Sequence, residues 1–93
     1  MKTLTLPIKR FWFNQIIDGS KTVEYREIKQ YWQDRLEGDG GQIRQYDRIV
    51  FRVGYHKHCL WAIFECIDIV KNTKSGFYEI TLGRRLAWSG WFC

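Results

Sequence analysis

Cysteine is scarce in this sequence, and its spacing excludes two common kinds of small domain. The 93 residues include three cysteines, Cys59, Cys66 and Cys93, and no two of them form a CxxC pair. An odd number of cysteines without such a pair predicts neither a disulfide framework nor a zinc ribbon. We therefore expect a protein of the reducing cytoplasm, with no bound metal and no cofactor.

Proline and long apolar runs are also nearly absent. Pro7 is the single proline, and the longest apolar stretch, around Leu60 to Phe64, has the length of a strand rather than of a membrane span. Met1 is followed by Lys2 and an alternating pattern, without the apolar segment of a signal peptide. We expect no association with a membrane.

Aromatic and basic residues are abundant instead. Five Trp, five Tyr and six Phe can fill a small core and leave some rings for a binding surface. Lysine and arginine outnumber aspartate and glutamate by 15 to 10, which gives a net charge of +5. A positive surface favours anionic partners, of which nucleic acid is the commonest. The length suits a single domain over residues 1–93.

Hydrophobic periodicity predicts strands and helices in alternation. Apolar and polar residues alternate, as in strands, over four segments: 3–7, 22–28, 48–53 and 77–82; a long apolar run at residues 59–70 predicts a further strand. Helical spacing occurs at residues 10–18 and 29–36, and Gly19 is placed to end the first helix in the left-handed conformation.

The order of these elements predicts an α+β fold. The last three strands are joined by short turns, which indicates an antiparallel meander. Closing that meander with the two earlier strands predicts a mostly antiparallel β-barrel of five or six strands with two helices. The apolar run at residues 59–70 is expected to be buried on much of both faces.

The tryptophan-rich segment 84–93 fits none of these patterns. It carries Leu86, Trp88, Trp91 and Phe92. Such a segment can pack on the barrel or bind another chain. In the second case the domain would be a protein-interaction module.

The segment 19–26, Gly-Ser-Lys-Thr-Val-Glu-Tyr-Arg, contains the candidate site. Glu24 and Arg26 are two apart on a strand and therefore point to the same face. Gly19 permits a tight turn that would bring Lys21 towards them. A carboxylate between two cations fixes their geometry and leaves one positive charge for a phosphate. A solvated strand face with an ordinary ion pair is the alternative interpretation.

Three aromatic residues, Tyr25, Tyr31 and Trp32, follow or overlap this segment. A nucleic-acid base can stack on such a ring for about 1–3 kcal/mol, whatever the base. Core packing is the competing role for each ring. The predicted ligand-binding residues are Lys21, Glu24, Arg26, Tyr25 and Trp32.

Together these residues resemble the ASCH domain, a family within the PUA-like superfamily of RNA-binding barrels. The resemblance covers residues 4–36 and rests on these motifs: Leu6-Pro7-Ile8-Lys9, Trp12-Phe13, Ile16-Ile17, a GxKxxExR signature at Gly19, Lys21, Glu24 and Arg26, and Tyr31-Trp32. Residues 46–82 match in strand order alone, and residues 84–93 do not match. The resemblance implies a PUA-like barrel with a basic cleft that binds RNA, a nucleotide or a modified nucleoside.

The resemblance also leaves an enzymatic alternative open. A small bacterial ASCH member hydrolyses N4-acetylcytidine with a lysine, a threonine and a glutamate. Lys21 matches the lysine, Glu24 occupies the threonine position, and Glu65 or Glu79 are the candidates for the distal glutamate. Thr22 would then be the nucleophile, with Lys21 as base and Glu24 as positioning group, in a hydrolase of N4-acylated cytidine or of RNA.

The run His56-Lys57-His58-Cys59 resembles a set of metal ligands. The next cysteine, Cys66, is seven residues on and within a predicted strand, and Lys57 would repel a cation. We predict a surface turn here.

Overall fold

The computed structural model describes residues 1–54 and 60–91 of the chain. The elements of this part are β1 (Thr3–Pro7), α1 (Arg10–Asp18), β2 (Val23–Glu27), α2 (Gln30–Leu36), β3 (Arg48–Arg52), β4 (Trp61–Asn72) and β5 (Phe77–Trp88), with a short 3-10 turn at Asp39–Gly41. Their order is the predicted one. Within these residues, no helix has the length and apolar character needed to cross a membrane.

The five strands form one mixed sheet in the order β1-β3-β4-β5-β2. β1 runs parallel to β3, whereas the three other pairings are antiparallel. The predicted α+β class and the β3-β4-β5 meander are confirmed. The sheet is a strongly curled half-barrel rather than a closed barrel, because β1 and β2 lie at opposite edges of it.

Irregular pairing between β4 and β5 accompanies the curl. The register shifts three times between Ile63 and Asp68, and such bulges bend a strand and increase its twist. Across this region the buried positions of β4 shift from even-numbered residues, Ala62 and Phe64, to an odd-numbered one, Ile69. The predicted burial on much of both faces holds for residues 60–66, which are all buried or half-buried, but not beyond them, where Ile67 and Val70 are exposed.

Both helices pack against the buried face of the sheet. α1 contributes Phe13 and Ile16, and α2 contributes Trp32 and Leu36. They join one core with the following strand residues: Leu4, Leu6, Ile49, Phe51, Ala62, Phe64, Ile69, Tyr78, Ile80 and Leu82. Each large apolar side chain buried in this way contributes about 1.5–3 kcal/mol, which makes this core the main source of stability.

The turn after α1 forms as predicted. Gly19 follows the helix with a φ of 87°, in the left-handed region, and its backbone N–H donates to the carbonyl oxygen of Ile16. The backbone N–H of Lys21 then donates to the carbonyl oxygen of Gln15 at 3.1 Å. The chain thus folds back beside the helix end before β2 begins.

The first part of the tryptophan-rich segment 84–93, for which no element was predicted, continues the last strand. β5 extends to Trp88, which pairs with Ala62 of β4, so the predicted strand 77–82 is too short. Trp88 also packs against the core. The predicted turn and metal-like residues His56 to Cys59, together with Phe92 and Cys93, lie outside the described residues.

Candidate functional site

Glu24 is the buried charge around which the candidate site is built. It lies on β2 opposite Ile80 of β5, and its side chain is 7% exposed. Carboxylates are almost never buried to this extent without partners. Glu24 has two cationic partners, one for each carboxylate oxygen, and its Oε1 also accepts a hydrogen bond from the backbone N–H of Tyr25.

Lys21 is the first of these partners. Its Nζ lies 3.2 Å from Oε1 of Glu24. The same ammonium lies 5.0 Å from the ring centroid of Trp12 and 5.2 Å from that of Tyr25. The carboxylate and the two ring faces all attract a positive charge and together hold the ammonium in this position.

Arg26 is the second partner, and it connects separate strands. Its Nη1 lies 2.8 Å from Oε2 of Glu24 and donates to the carbonyl oxygen of Tyr25, while its Nη2 donates to the carbonyl oxygen of Pro7. The guanidinium also packs on the ring of Trp32, at 5.3 Å from the centroid. Three of its five N–H groups are thus used within the protein.

These residues line a cleft of about 570 Å³ between the β1–α1 connection and β2, which we call the main cleft. It is lined by Pro7, Ile8, Lys9, Trp12, Lys21, Glu24, Tyr25 and Arg26. Its volume falls within the range of about 300–1,000 Å³ that is typical of small-molecule sites. Three cations face one carboxylate here, which leaves a surplus of two positive charges.

Two residues of the main cleft, Lys9 and Trp12, were missed by the sequence prediction. Lys9 precedes α1 and is exposed, and within residues 1–54 and 60–91 it forms no ion pair. Trp12 lies on α1 and is 42% exposed. The spacing of Phe13, Ile16 and Ile17 already forms a complete helical stripe, and Trp12 lies beside it.

The three aromatic residues considered for base stacking, Tyr25, Tyr31 and Trp32, lie in three different environments. Tyr25 is 47% exposed and lines the main cleft. Trp32 is buried in the core and reaches the site only through Arg26. Tyr31 is exposed on α2, where its ring lies against the guanidinium of Arg35.

The residues of the hydrolase alternative are dispersed. Thr22 is exposed and lines a neighbouring groove rather than the main cleft. Glu65 accepts a hydrogen bond from the backbone N–H of Arg84, and Glu79 accepts one from the side chain of Asn72. Neither glutamate is among the residues that line the main cleft.

A second polar cluster, in which Glu37 and Lys71 are half-buried, lies outside the cleft. The carboxylate of Glu37 accepts a hydrogen bond from the hydroxyl of Tyr78 and lies 3.0 Å from Nζ of Lys71. The hydrogen bond from Tyr78, followed by that from Lys71, lowers the pKa of Glu37. Burial, followed by the nearby carboxylate, raises the pKa of Tyr78. This cluster joins the end of α2 to the β4–β5 hairpin.

Comparisons with known proteins identified no relative of this chain. No family model, no curated protein and no solved structure matches the chain. Among residues 1–54 and 60–91, no group of three or more His, Cys, Asp and Glu side chains is placed to hold a metal ion.

Proposed function

We propose that this chain is an ASCH-like binding domain whose main cleft holds a nucleotide-like ligand, as part of RNA or as a modified nucleoside. The observation that carries the proposal is the position of Lys21. Its ammonium lies on the wall of the main cleft, close to the exposed residues Trp12 and Tyr25, and is held by Glu24, so that its side chain is 13% exposed. This arrangement offers a fixed charge beside flat apolar surfaces.

A nucleotide has the matching chemistry. Its phosphate is an anion that Lys9 and Lys21 can contact, and its base has a flat face that can stack on Trp12 or Tyr25. Glu24 supports this role because its negative charge is already matched by two cations, so that it fixes them without cancelling the cleft's surplus charge. We assign Arg26 to positioning Glu24 and the strands, rather than to first contact with the phosphate.

Two features support the ASCH-like assignment. The GxKxxExR signature places its lysine, glutamate and arginine in one connected ion pair network beside a cleft. The sheet around it is a curled, mostly antiparallel half-barrel with two helices. Both features agree with what the resemblance implies.

Binding is a better fit to this geometry than hydrolysis. A general base must lie within hydrogen-bond reach of the group it activates, whereas the ammonium of Lys21 is paired with Glu24 at 3.2 Å. Thr22, the candidate nucleophile, faces a different groove from Glu24. A turnover assay on N4-acetylcytidine tests this choice, and product formation that is lost in Lys21→Met would establish the hydrolase instead.

Calorimetry with a nucleoside and its 5′-monophosphate tests the proposal directly. We expect cytidine 5′-monophosphate to bind more tightly than cytidine, and the difference to shrink as salt is raised. Lys21→Met should weaken the monophosphate by about tenfold or more, the loss expected for one hydrogen bond to a charged group. Lys74→Met is the matched control, because Lys74 lies in the exposed turn between β4 and β5.

The proposal fails if neither compound binds at low salt. It also fails if Lys21→Met and Lys74→Met weaken the monophosphate equally, since the effect would then come from net charge alone.

A further inference from the structure

The main cleft has a neighbour that shares one of its walls. A second depression of about 270 Å³, which we call the side groove, is lined by Trp12, Gln15, Ser20, Lys21, Thr22, Val23 and Tyr25. Trp12, Lys21 and Tyr25 line both cavities. The wall between the two cavities thus consists of two aromatic rings with a lysine between them.

The side groove differs from the main cleft in its chemistry. Apart from Lys21, its polar side chains are neutral: Gln15, Ser20 and Thr22. Within the part of the chain that the structure describes, the amide of Gln15 and the hydroxyl of Thr22 make no hydrogen bond, whereas Ser20 donates to Asp18. Neutral donors and acceptors of this kind suit sugar hydroxyls and base edges better than a phosphate.

Lys21 is therefore the charged group at the boundary between the basic main cleft and the otherwise uncharged side groove. A ligand that fits both cavities has an anionic link flanked by two flat or hydroxyl-bearing units, and a dinucleotide step has this pattern. We propose that the ligand is a single-stranded oligonucleotide, with one base in the main cleft, the phosphodiester at Lys21 and the adjacent nucleoside in the side groove. This inference rests on the proposed function, because it assigns a nucleotide to the main cleft.

The shared rings explain how one strand can occupy both cavities. Trp12 and Tyr25 are each more than two-fifths exposed and line the cleft as well as the groove. A base on either side can contact them, and stacking on a ring does not depend on the identity of the base. The second nucleoside adds contacts that a mononucleotide lacks, so affinity should rise from one nucleotide to two.

Calorimetry at one low salt concentration, with cytidine 5′-monophosphate and the dinucleotide cytidylyl-(3′,5′)-cytidine, tests the inference. We expect the dinucleotide to bind about tenfold more tightly or better, the gain expected from one further stacked base. Thr22→Val keeps the side-chain shape and removes the hydroxyl. It should weaken the dinucleotide by about two- to tenfold, the loss of one neutral hydrogen bond, and leave the monophosphate unchanged.

Two further variants make the result specific. Thr73→Val is the matched control, since Thr73 lies in the exposed β4–β5 turn. Gln15→Leu provides a second readout from the side groove if Thr22→Val lowers the melting temperature.

Each outcome has a separate meaning. If the monophosphate binds and the dinucleotide binds no more tightly, the inference is overturned while the proposed function stands. The inference also fails if the Thr22 and Thr73 variants behave alike. If neither ligand binds, both the proposed function and this inference fail. If the Thr22 and Gln15 variants reduce the affinity for the dinucleotide and leave that for the monophosphate unchanged, the inference is supported.

Discussion

Arg26 on β2 donates a hydrogen bond from Nη2 to the carbonyl oxygen of Pro7 at the end of β1, over 2.6 Å. β1 and β2 are the two edges of the half-barrel, so one side chain joins strands that share no backbone ladder. The same guanidinium holds Glu24. Arg26 therefore contributes to the shape of the main cleft and adds to the stability that the core provides.

Replacing Arg26 should destabilise the fold more than replacing an exposed arginine. Arg26→Ala leaves Glu24 buried with Lys21 as its remaining cation, and we expect a loss of about 3–5 kcal/mol in the free energy of unfolding. Arg26→Lys keeps the charge, but one ammonium cannot reach Glu24 and Pro7 in the same fork geometry, so an intermediate loss is expected. Urea denaturation measures both.

Arg52→Ala is the matched control for this series, because Arg52 is exposed on β3. Its expected cost is within about 0.5 kcal/mol. Equal urea midpoints for wild type and Arg26→Lys would show that the bridge to Pro7 contributes nothing.

Tyr78→Phe should change how stability depends on pH. In the folded state the hydrogen bond from Tyr78, and then Lys71, lowers the pKa of Glu37 below its ordinary value of 4.5. The stabilisation from Glu37 is therefore complete above that value and is lost as pH falls through the lower folded pKa. We expect Tyr78→Phe to be less stable at pH 7 by about 1–3 kcal/mol, with a smaller difference at pH 3.

Urea denaturation of wild type and Tyr78→Phe at several pH values between 3 and 7 provides the measurement. Tyr31→Phe is the control, because Tyr31 is exposed and its hydroxyl makes no hydrogen bond within the described residues. A difference between wild type and Tyr78→Phe that stays constant, or widens in acid, would contradict the assignment of the shift to this pair.

Gly19 tests the turn that brings Lys21 to the site. Its φ of 87° is unfavourable for residues with a Cβ, although an added Cβ would meet no atom within 4 Å. The cost of Gly19→Ala should thus be conformational, about 1–2 kcal/mol. Gly19→Asn should cost less, because asparagine tolerates this region. Thermal unfolding measures both variants. A lower melting temperature for Gly19→Asn than for Gly19→Ala would contradict the assignment of the cost to the left-handed backbone conformation.

The protein-interaction hypothesis for residues 84–93 needs a point variant. Removing this segment would delete the part of β5 that pairs with β4 up to Trp88, and so would disrupt the sheet itself. Trp91 is 43% exposed and lies after the strand. If the domain binds a nucleotide and does not act as a protein-interaction module, Trp91→Ala should leave the molar mass of the protein in solution unchanged. A change from dimer to monomer in light scattering would favour the interaction role.

Local patterns in the sequence were enough to predict much of the fold. The bounds of α1, the turn at Gly19 and the β3-β4-β5 meander follow from side-chain periodicity and turn residues, which are properties of neighbouring residues. The parallel pairing of β1 with β3 joins segments far apart in sequence, so no local pattern contains it. The extension of β5 was hidden because exposed residues, Arg84 to Ala87, follow Gly83 and break the alternation.

The candidate site was predictable in part for the same reason. Lys21, Glu24 and Arg26 belong to one short segment, and they form one ion pair network. Lys9 and Trp12 come from the β1–α1 connection, which only the tertiary fold brings to them. Trp32 was predicted to contact a ligand, but its place in the core leaves its ring beneath Arg26. Which ring meets solvent depends on packing that periodicity alone does not specify.

A crystal structure of the protein with cytidine 5′-monophosphate tests the central claim most directly. The account predicts the base against Trp12 or Tyr25, with phosphate oxygens within about 3 Å of Nζ of Lys21 or Lys9. A nucleotide bound away from the main cleft, or one whose phosphate contacts neither lysine, would contradict it.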